Sequence, residues 1–231
     1  MNKITEEQQA QLLNKYGKRT QELFWKLGKE LTLPKGKICI RSREETAKIY
    51  FILSGKVQIY NLTGCGKKKI LFVLGAGQIA NESLASSRSS VFCETLEECK
   101  FYVLRQEALW DLMKEDFLFS KDLLAYQEKK IWRLEHQLKN TVGSIYLERK
   151  LAAKRLKLAK DFGVDTEKGR MIDLELSVTF LADFLGAPRE ITSRVCKKLM
   201  EYGLIEVDRK RIWIPDKNRL VSFYKTGVLT E

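Results

Sequence analysis

The hydrophobic period of this chain changes twice, and that alone excludes most folds. Up to about residue 30 the apolar positions Leu12, Leu13, Tyr16, Leu23, Phe24 and Leu27 recur near helical spacing, and Gly28 is placed to end the run. From Leu31 to about Leu104 the pattern is different. Short segments rich in β-branched and aromatic residues (37–40, 49–53, 56–60, 69–74, 90–93 and 100–104) alternate with turns such as Ser54-Gly55-Lys56 and Thr63-Gly64-Cys65-Gly66. Strands spaced by roughly 8–12 residues predict an antiparallel sandwich or jelly-roll barrel. After Leu104 the helical period returns. The expected class is α+β: a jelly-roll (double-stranded β-helix) domain over 1–115, a helix over 116–146, and a further domain over 147–231.

No proline interrupts 109–162, so one long helix fits there. Within it Leu124, Gln127, Ile131, Leu134, Leu138, Thr141 and Ile145 step alternately by three and four residues, an a/d seam with polar breaks at Gln127 and Thr141. Glu128, Lys129, Arg133 and Lys139 fall off the stripe. So narrow an apolar stripe suits a two-chain coiled coil better than packing within one domain, and a homodimer is expected. Gly143 and Ser144 weaken the helix near the end of the seam, and a second helix is expected over 145–162.

The stretch from Leu176 to Pro215 is the most specific. Ser177 is an N-cap candidate for an apolar run through Leu185, Gly186 breaks that run, and Pro188 stands at or beside the start of a new helix that Gly203 closes. Residues 204–207 and 211–214 then bracket Asp208-Arg209-Lys210 as a β-hairpin. Helix, short turn, helix, hairpin is the winged helix-turn-helix plan. On the second helix Ile191, Val195, Cys196 and Leu199 share an inward face, while Glu190, Ser193 and Arg194 emerge together from another, with Arg189 at the leading edge. Arginine suits bidentate contact with guanine, glutamate accepts from cytosine, and serine serves bases or phosphates. Lys197, Lys198, Arg209, Lys210 and Arg211 are suited to phosphates, which position a reader without conveying sequence. The competing reading of Glu190 and Arg194 is a surface ion pair across one helical turn.

Composition sets the limits. The formal net charge of +12 suits a polyanionic partner. It is not concentrated in the proposed reader, since residues 144–231 carry 18 basic and 13 acidic side chains, so the nucleic-acid reading rests on arrangement. Cys39, Cys65, Cys93, Cys99 and Cys196 are odd in number and form no Cys-x-x-Cys, which argues against a disulfide framework or a zinc site. The single histidine, His136, excludes paired-histidine metal sites and disfavours a histidine-dependent hydrolase; the DNA-reading plan above carries no catalytic activity, and none is expected. No signal peptide or membrane span is apparent, and a cytoplasmic protein is expected.

The order β-roll, long helix, winged helix-turn-helix resembles the Crp–Fnr superfamily of bacterial transcription regulators over nearly the whole chain. Leu33-Pro34-Lys35-Gly36 and 49–57 resemble the family's β-roll opening, and Leu74-Gly75-Ala76-Gly77-Gln78-Ile79 the turn before its effector cassette. Leu181-Ala182-Asp183-Phe184-Leu185-Gly186 followed by Arg189-Glu190-x-x-Ser193-Arg194 is the more specific match. Its Glu-x-x-Ser-Arg spacing is similar to the Fnr branch and implies a TTGA-like half-site, whereas Arg189 resembles the Crp branch and implies TGTGA. Pro188 replaces a polar capping residue common in the family. The resemblance further implies a palindromic operator in double-stranded DNA, with RNA polymerase as a partner.

In a cyclic-nucleotide member the cassette carries a Gly-Glu step and then an Arg-Ser pair after a longer loop. Here Asn81-Glu82 is followed by Arg88-Ser89 after a short one. That implies an effector site at Asn81, Glu82, Arg88 and Ser89, with His136 on the dimer helix near where an effector touches in this family. A cyclic nucleotide is disfavoured against another small effector or none, and the plain alternative is that Glu82 and Arg88 pair with each other. An Fnr-type iron–sulfur cluster is excluded because residues 1–38 contain no cysteine. His136 is expected at a surface or pocket edge and not as a haem ligand. Cys93 and Cys99 are candidates to face each other across strands, with buried reduced thiols the commoner state. Two alternatives stand beside the effector-controlled regulator: a constitutive DNA binder with a dead pocket, and a nucleotide-sensing module that does not bind DNA.

Overall fold

The computed structural model describes residues 18–86, 88–139 and 146–229. Helix α1 spans Lys18–Leu27 and ends where the Gly28 amide returns to the Phe24 carbonyl at 2.9 Å. Leu12, Leu13 and Tyr16, the earlier part of the expected first helix, lie outside the described residues. The chain divides into two compact units: one runs to Gly66 and resumes over Ile70–Leu134, and the other takes Lys67–Lys69 and the chain from Glu135.

The first unit contains strands β1 (Lys29–Leu33), β2 (Ile38–Ile40), β3 (Lys48–Ser54), β4 (Val57–Leu62), β5 (Lys68–Leu74), β6 (Phe92–Thr95) and β7 (Cys99–Arg105). They form two antiparallel sheets, ordered β1-β7-β3 and β2-β6-β4-β5. Because side chains alternate along a strand, β3 serves two cores. Tyr50 and Ile52 enter the interior of the roll with Ile40, Val57, Ile59, Phe72, Leu74, Cys93 and Phe101. Ile49, Phe51 and Leu53 face the helices and pack with Phe24, Tyr102 and Leu104. Phe24 anchors α1 there, its ring stacked on Phe51 at 4.8 Å and tilted against Phe119 at 6.3 Å. Sequence reading misses β1, an edge strand whose Lys29 and Glu30 are exposed and whose partner is β7.

The expected continuous helix from Leu109 is two helices, α2 (Gln106–Glu115) and α3 (Phe117–Lys139). Asp116 makes the break. Its extended backbone ends α2, and its Oδ1 accepts from the amides of Leu118 and Phe119, both at 3.1 Å, capping α3. On α3 the stripe Leu124, Ile131, Leu134 and Leu138 is exposed in the single chain, Leu124 by 62% and Leu138 by 67%. Thr141, Gly143, Ser144 and Ile145 lie outside the described residues. A second stripe, Phe119, Leu123 and Tyr126, is buried in the helix-facing core, so α3 is apolar on two sides.

The second unit begins with α4 (Leu147–Phe162), which buries Leu151, Ala152, Arg155, Leu158 and Ala159. Strands β8 (Gly163–Thr166) and β9 (Gly169–Ile172) follow, then α5 (Val178–Leu185), α6 (Arg189–Glu201), β10 (Glu206–Asp208), β11 (Arg211–Ile214) and α7 (Lys217–Thr226). The four strands form one antiparallel sheet, ordered β10-β11-β9-β8. The β8–β9 hairpin and α7 are additions to the sequence reading. The first has little apolar pattern, and the second is set by Asp216, whose Oδ1 accepts from Asn218 N (2.7 Å) and Arg219 N (3.0 Å).

Candidate nucleic-acid interface and sensor site

Local chemistry builds the helix pair. Ser177 Oγ accepts from Phe180 N at 3.0 Å and starts α5, and Gly186, at φ +75°, turns the chain out of it. Pro188 offers no side-chain cap to α6; the Thr192 hydroxyl instead donates back to the Pro188 carbonyl at 3.0 Å. Thr192, Val195, Cys196 and Leu199 are buried beneath α6, so the inward face includes Thr192, while Ile191 is only half-buried.

The outward face carries the expected reader. Arg189, Glu190, Arg194 and Lys197 are exposed, and Ser193 is half-buried between them. No ion pair joins Glu190 to Arg194 among the described residues. Lys198 is exposed but engaged: its ammonium meets Glu148 Oε1 on α4 at 3.0 Å. Burial works against the Glu148 carboxylate, yet its backbone hydrogen bond and Lys198 hold it below the usual carboxylate range. Lys198 is raised in turn by that hydrogen bond and charge. The hairpin turn puts Arg209 at φ +44° and Lys210 at φ +72°, left-handed values usual for Asn or Gly in a tight hairpin. The Lys210 carbonyl accepts from Leu176 N at 2.7 Å, which ties the turn to the segment entering α5.

The sensor residues fall into separate arrangements. Asn81 is buried and structural: its Oδ1 accepts from Tyr50 N and its Nδ2 donates to Lys48 O, both at 2.8 Å. Glu82 accepts from Ser90 N (2.9 Å) and Ser90 Oγ (2.6 Å). Arg88 pairs with Glu45 at 3.3 Å, on an exposed bridge between the two segments. The alternative reading, a Glu82–Arg88 pair, is therefore not met, because Glu82 is held by Ser90 and Arg88 by Glu45. Ser89 Oγ donates to Val91 O at 2.9 Å. His136 is exposed on α3, in the part of that helix belonging to the second unit.

The residue that sequence reading misses is Lys130. Its ammonium donates to Asn81 O at 2.6 Å and Ile79 O at 3.3 Å, and lies 4.7 Å from the centre of the Tyr126 ring. Tyr126 OH donates to the same Ile79 carbonyl at 2.8 Å, and Gln127 Nε2 reaches Glu82 O at 3.4 Å. Three side chains of α3 thus hold the cassette segment 79–82. Burial lowers Lys130 to about 7; Cys93 and Glu82 oppose that shift and Arg133 adds to it. The available signal was spacing, since Phe119, Leu123, Tyr126 and Lys130 share one face.

Cys93 and Cys99 lie in one core but on strands of different sheets, and Cys39 sits on β2 beside Cys93 on β6. The Cys39 hydrogen bond, then burial, pushes Cys93 well up, and burial pushes Cys99 up to about 12, which favours the protonated thiols. Among the described residues no group of three or more His, Cys, Asp or Glu is placed to hold a metal ion, and no helix is long and apolar enough to cross a membrane.

A β-roll with a helix-bound cassette and a winged helix-turn-helix with an exposed polar α6 face define a DNA-binding regulator built from a sensor and a reader. Comparison with known proteins agrees for both parts. Residues 30–116 match the cyclic nucleotide-binding domain family, and residues 149–223 the Crp-like helix-turn-helix domain family. The probable transcriptional regulator flp of Lacticaseibacillus casei is 28% identical over 196 residues, covering 84% of this chain and 86% of that one. The CRP-like cAMP-activated global transcriptional regulator of Mycobacterium tuberculosis is 24% identical over 190 residues, covering 81% and 84%. The structure of FixK2 from Bradyrhizobium japonicum superimposes with a TM-score of 0.76 at 18% identity, over 85% of this chain and 96% of that one. The chain belongs to the Crp–Fnr superfamily of DNA-binding transcription regulators, a family of regulators and not of enzymes.

Proposed function

We propose that the protein acts in the cytoplasm as a homodimer that reads a palindromic operator through α6 and answers to a small molecule bound at the β-roll. One observation carries the reader. Glu190, Ser193, Arg194 and Lys197 recur at i, i+3, i+4 and i+7 on the outer face of a helix whose other face is fully packed. Arg194 and Glu190 read base edges, Ser193 and Arg189 support them, and Lys197 with the Arg209–Lys210 turn meets phosphates. Lys198 contributes less than Lys197 because Glu148 already holds it. Two readers related by a two-fold axis place half-sites about 34 Å apart.

The apolar stripe Leu124, Ile131, Leu134 and Leu138 forms the dimer seam. Ile131→Glu with Leu134→Glu is expected to convert the dimer to a monomer by sedimentation at micromolar concentration, because it places like charges in a desolvated coiled-coil core. In the sensor, Glu82 and Asn81 shape the cassette and Lys130 fastens it to α3, so an effector that competes for the carbonyls of residues 79 and 81 would shift how α3 is held. Arg88 and Ser89 form the outer edge of that site, and His136 lies further along the same helix. The outward Arg88 and the inward Lys130 favour a small effector other than a cyclic nucleotide. RNA polymerase is the expected partner on the promoter.

The test is binding to duplexes carrying inverted TTGA or TGTGA half-sites against a scrambled duplex, over a salt series. Specific binding that falls about 10³–10⁵-fold from 50 to 200 mM salt is expected for a dimer making 6–10 phosphate contacts. Salt-insensitive binding, or none to any duplex, overturns the reader. The hairpin gives a second expectation. Replacing Arg209→Asn and Lys210→Gly raises stability by about 1 kcal/mol by relieving two left-handed side-chain residues, while weakening all duplexes alike and flattening the salt slope.

A further inference from the structure

Beneath α6 lies a group that DNA reading does not use. Arg155, on α4, is fully buried. Its Nη2 donates to the Sγ of Cys196 at 3.1 Å, and its Nε and Nη1 have no hydrogen-bond partner. A buried guanidinium with two idle donors is costly, and burial pulls Arg155 below its ordinary range while the Cys196 sulfur counters the shift. Cys196 sits in the middle of α6, two residues after Arg194, and retains 7% exposure. The sulfur thus has a fixed positive charge beside it, in a residue that is buried but not wholly closed to solvent.

We propose that Cys196 is a peroxide-oxidised switch in the reader: Arg155 promotes oxidation of its sulfur and takes the added oxygen on its idle Nε, which displaces α6 and lowers operator affinity. Sγ attacks one oxygen of hydrogen peroxide. The S–O bond forms as the O–O bond breaks, and the departing hydroxide takes the thiol proton and leaves as water. Sulfur loses two electrons, peroxide gains them, and Cys196 becomes the sulfenic acid. Arg155 stabilises the negative charge that builds on the departing oxygen as the O–O bond breaks. Nε lies beside Nη2 on one edge of the guanidinium, so the new oxygen meets a donor next to the one that Sγ already holds. The oxygen must fit between α4 and α6, whose Leu158, Val195 and Leu199 are buried, and volume added to a close-packed interior shifts its neighbours. A thiol reductant reverses the step.

The experiment uses the full chain, reduced and then treated with hydrogen peroxide in the presence of dimedone, with the labelled peptides read by mass spectrometry. Exposed Cys65 is the internal reference. Dimedone on Cys196 is expected, together with a loss of affinity for the TTGA or TGTGA duplex of about tenfold to a hundredfold that dithiothreitol restores. Cys196→Ser should keep its affinity under peroxide, and Arg155→Lys should slow labelling of Cys196 and leave Cys65 unchanged. The proposal is overturned if Cys196 stays unlabelled while Cys65 reacts, if Arg155→Lys labels Cys196 at the original rate, or if the affinity loss persists in Cys196→Ser. The affinity arm rests on the reader assignment. Should the reduced protein bind neither duplex, that assignment fails, and the labelling still decides the chemistry.

Discussion

Arg194→Ala weakens binding to the preferred operator by about 1–3 kcal/mol and relaxes the choice at one base pair of each half-site. The size follows from the absence of any hydrogen bond or ion pair of this side chain among the described residues. It is exposed and makes no ion pair with Glu190, so its removal leaves the fold of α6 intact; the inward Thr192, Val195, Cys196 and Leu199 are untouched. A matched measurement of thermal stability should therefore show a change within about 0.5 kcal/mol. Lys197→Ala is the contrast. It weakens every duplex about equally and lowers the salt slope by about 1. If Arg194→Ala behaves like Lys197→Ala, with uniform loss and a flatter slope, Arg194 is a phosphate contact and the base-reading role passes to Glu190 or Arg189.

The parts of this molecule that were legible in its sequence are those whose cause is local. Ser177 and Gly186 set both ends of α5 within a few residues of themselves, and β3 shows as a run of five consecutive apolar residues. The α6 face is legible for the same reason, because one helix fixes all its side-chain directions. What was hidden depends on distant partners. Asp116 looked compatible with a continuing helix because the apolar spacing of Leu109, Leu112, Phe119 and Leu123 carries on across it. Arg88 was assigned to the effector site by the family resemblance, with Glu82 as its alternative partner, but the partner it meets, Glu45, is 43 residues away. Arg155 and Lys130 stand on helices with many charged residues, nothing in their spacing sets them apart, and only tertiary packing turns them inward.

Lys130 supplies the second large effect, a pH dependence of stability confined to the sensor. The side chain has an ordinary value of 10.5 and is lowered to about 7 by burial. Below about pH 7 it is charged in the folded and unfolded chains alike, and folding bears the full cost of burying that charge. Between about 7 and 10.5 the unfolded chain keeps a proton that the folded chain has released, so stability rises with pH. Above 10.5 both are neutral and the cost is gone. The slope for one proton is about 1.4 kcal/mol per pH unit, which over this window amounts to roughly 3–5 kcal/mol.

Lys130→Met isolates this contribution. It fills similar space and cannot titrate, but it leaves Asn81 O without its donor, at a cost of about 1–3 kcal/mol, while Ile79 O keeps Tyr126. The absolute stability at one pH thus mixes two opposing changes and decides little. The difference between the two curves is cleaner, because Cys93, Cys99 and the tyrosines titrate in both proteins and largely cancel. Measured by urea unfolding from pH 6 to 9.5, wild type minus Lys130→Met should be flat below pH 7 and then climb by about 1 kcal/mol or more per unit. Parallel curves would mean that the ammonium stays charged in the folded sensor, held by the Ile79 and Asn81 carbonyls, the Tyr126 ring and the nearby Glu82 charge. In that case Lys130 is a permanent cation between α3 and the cassette.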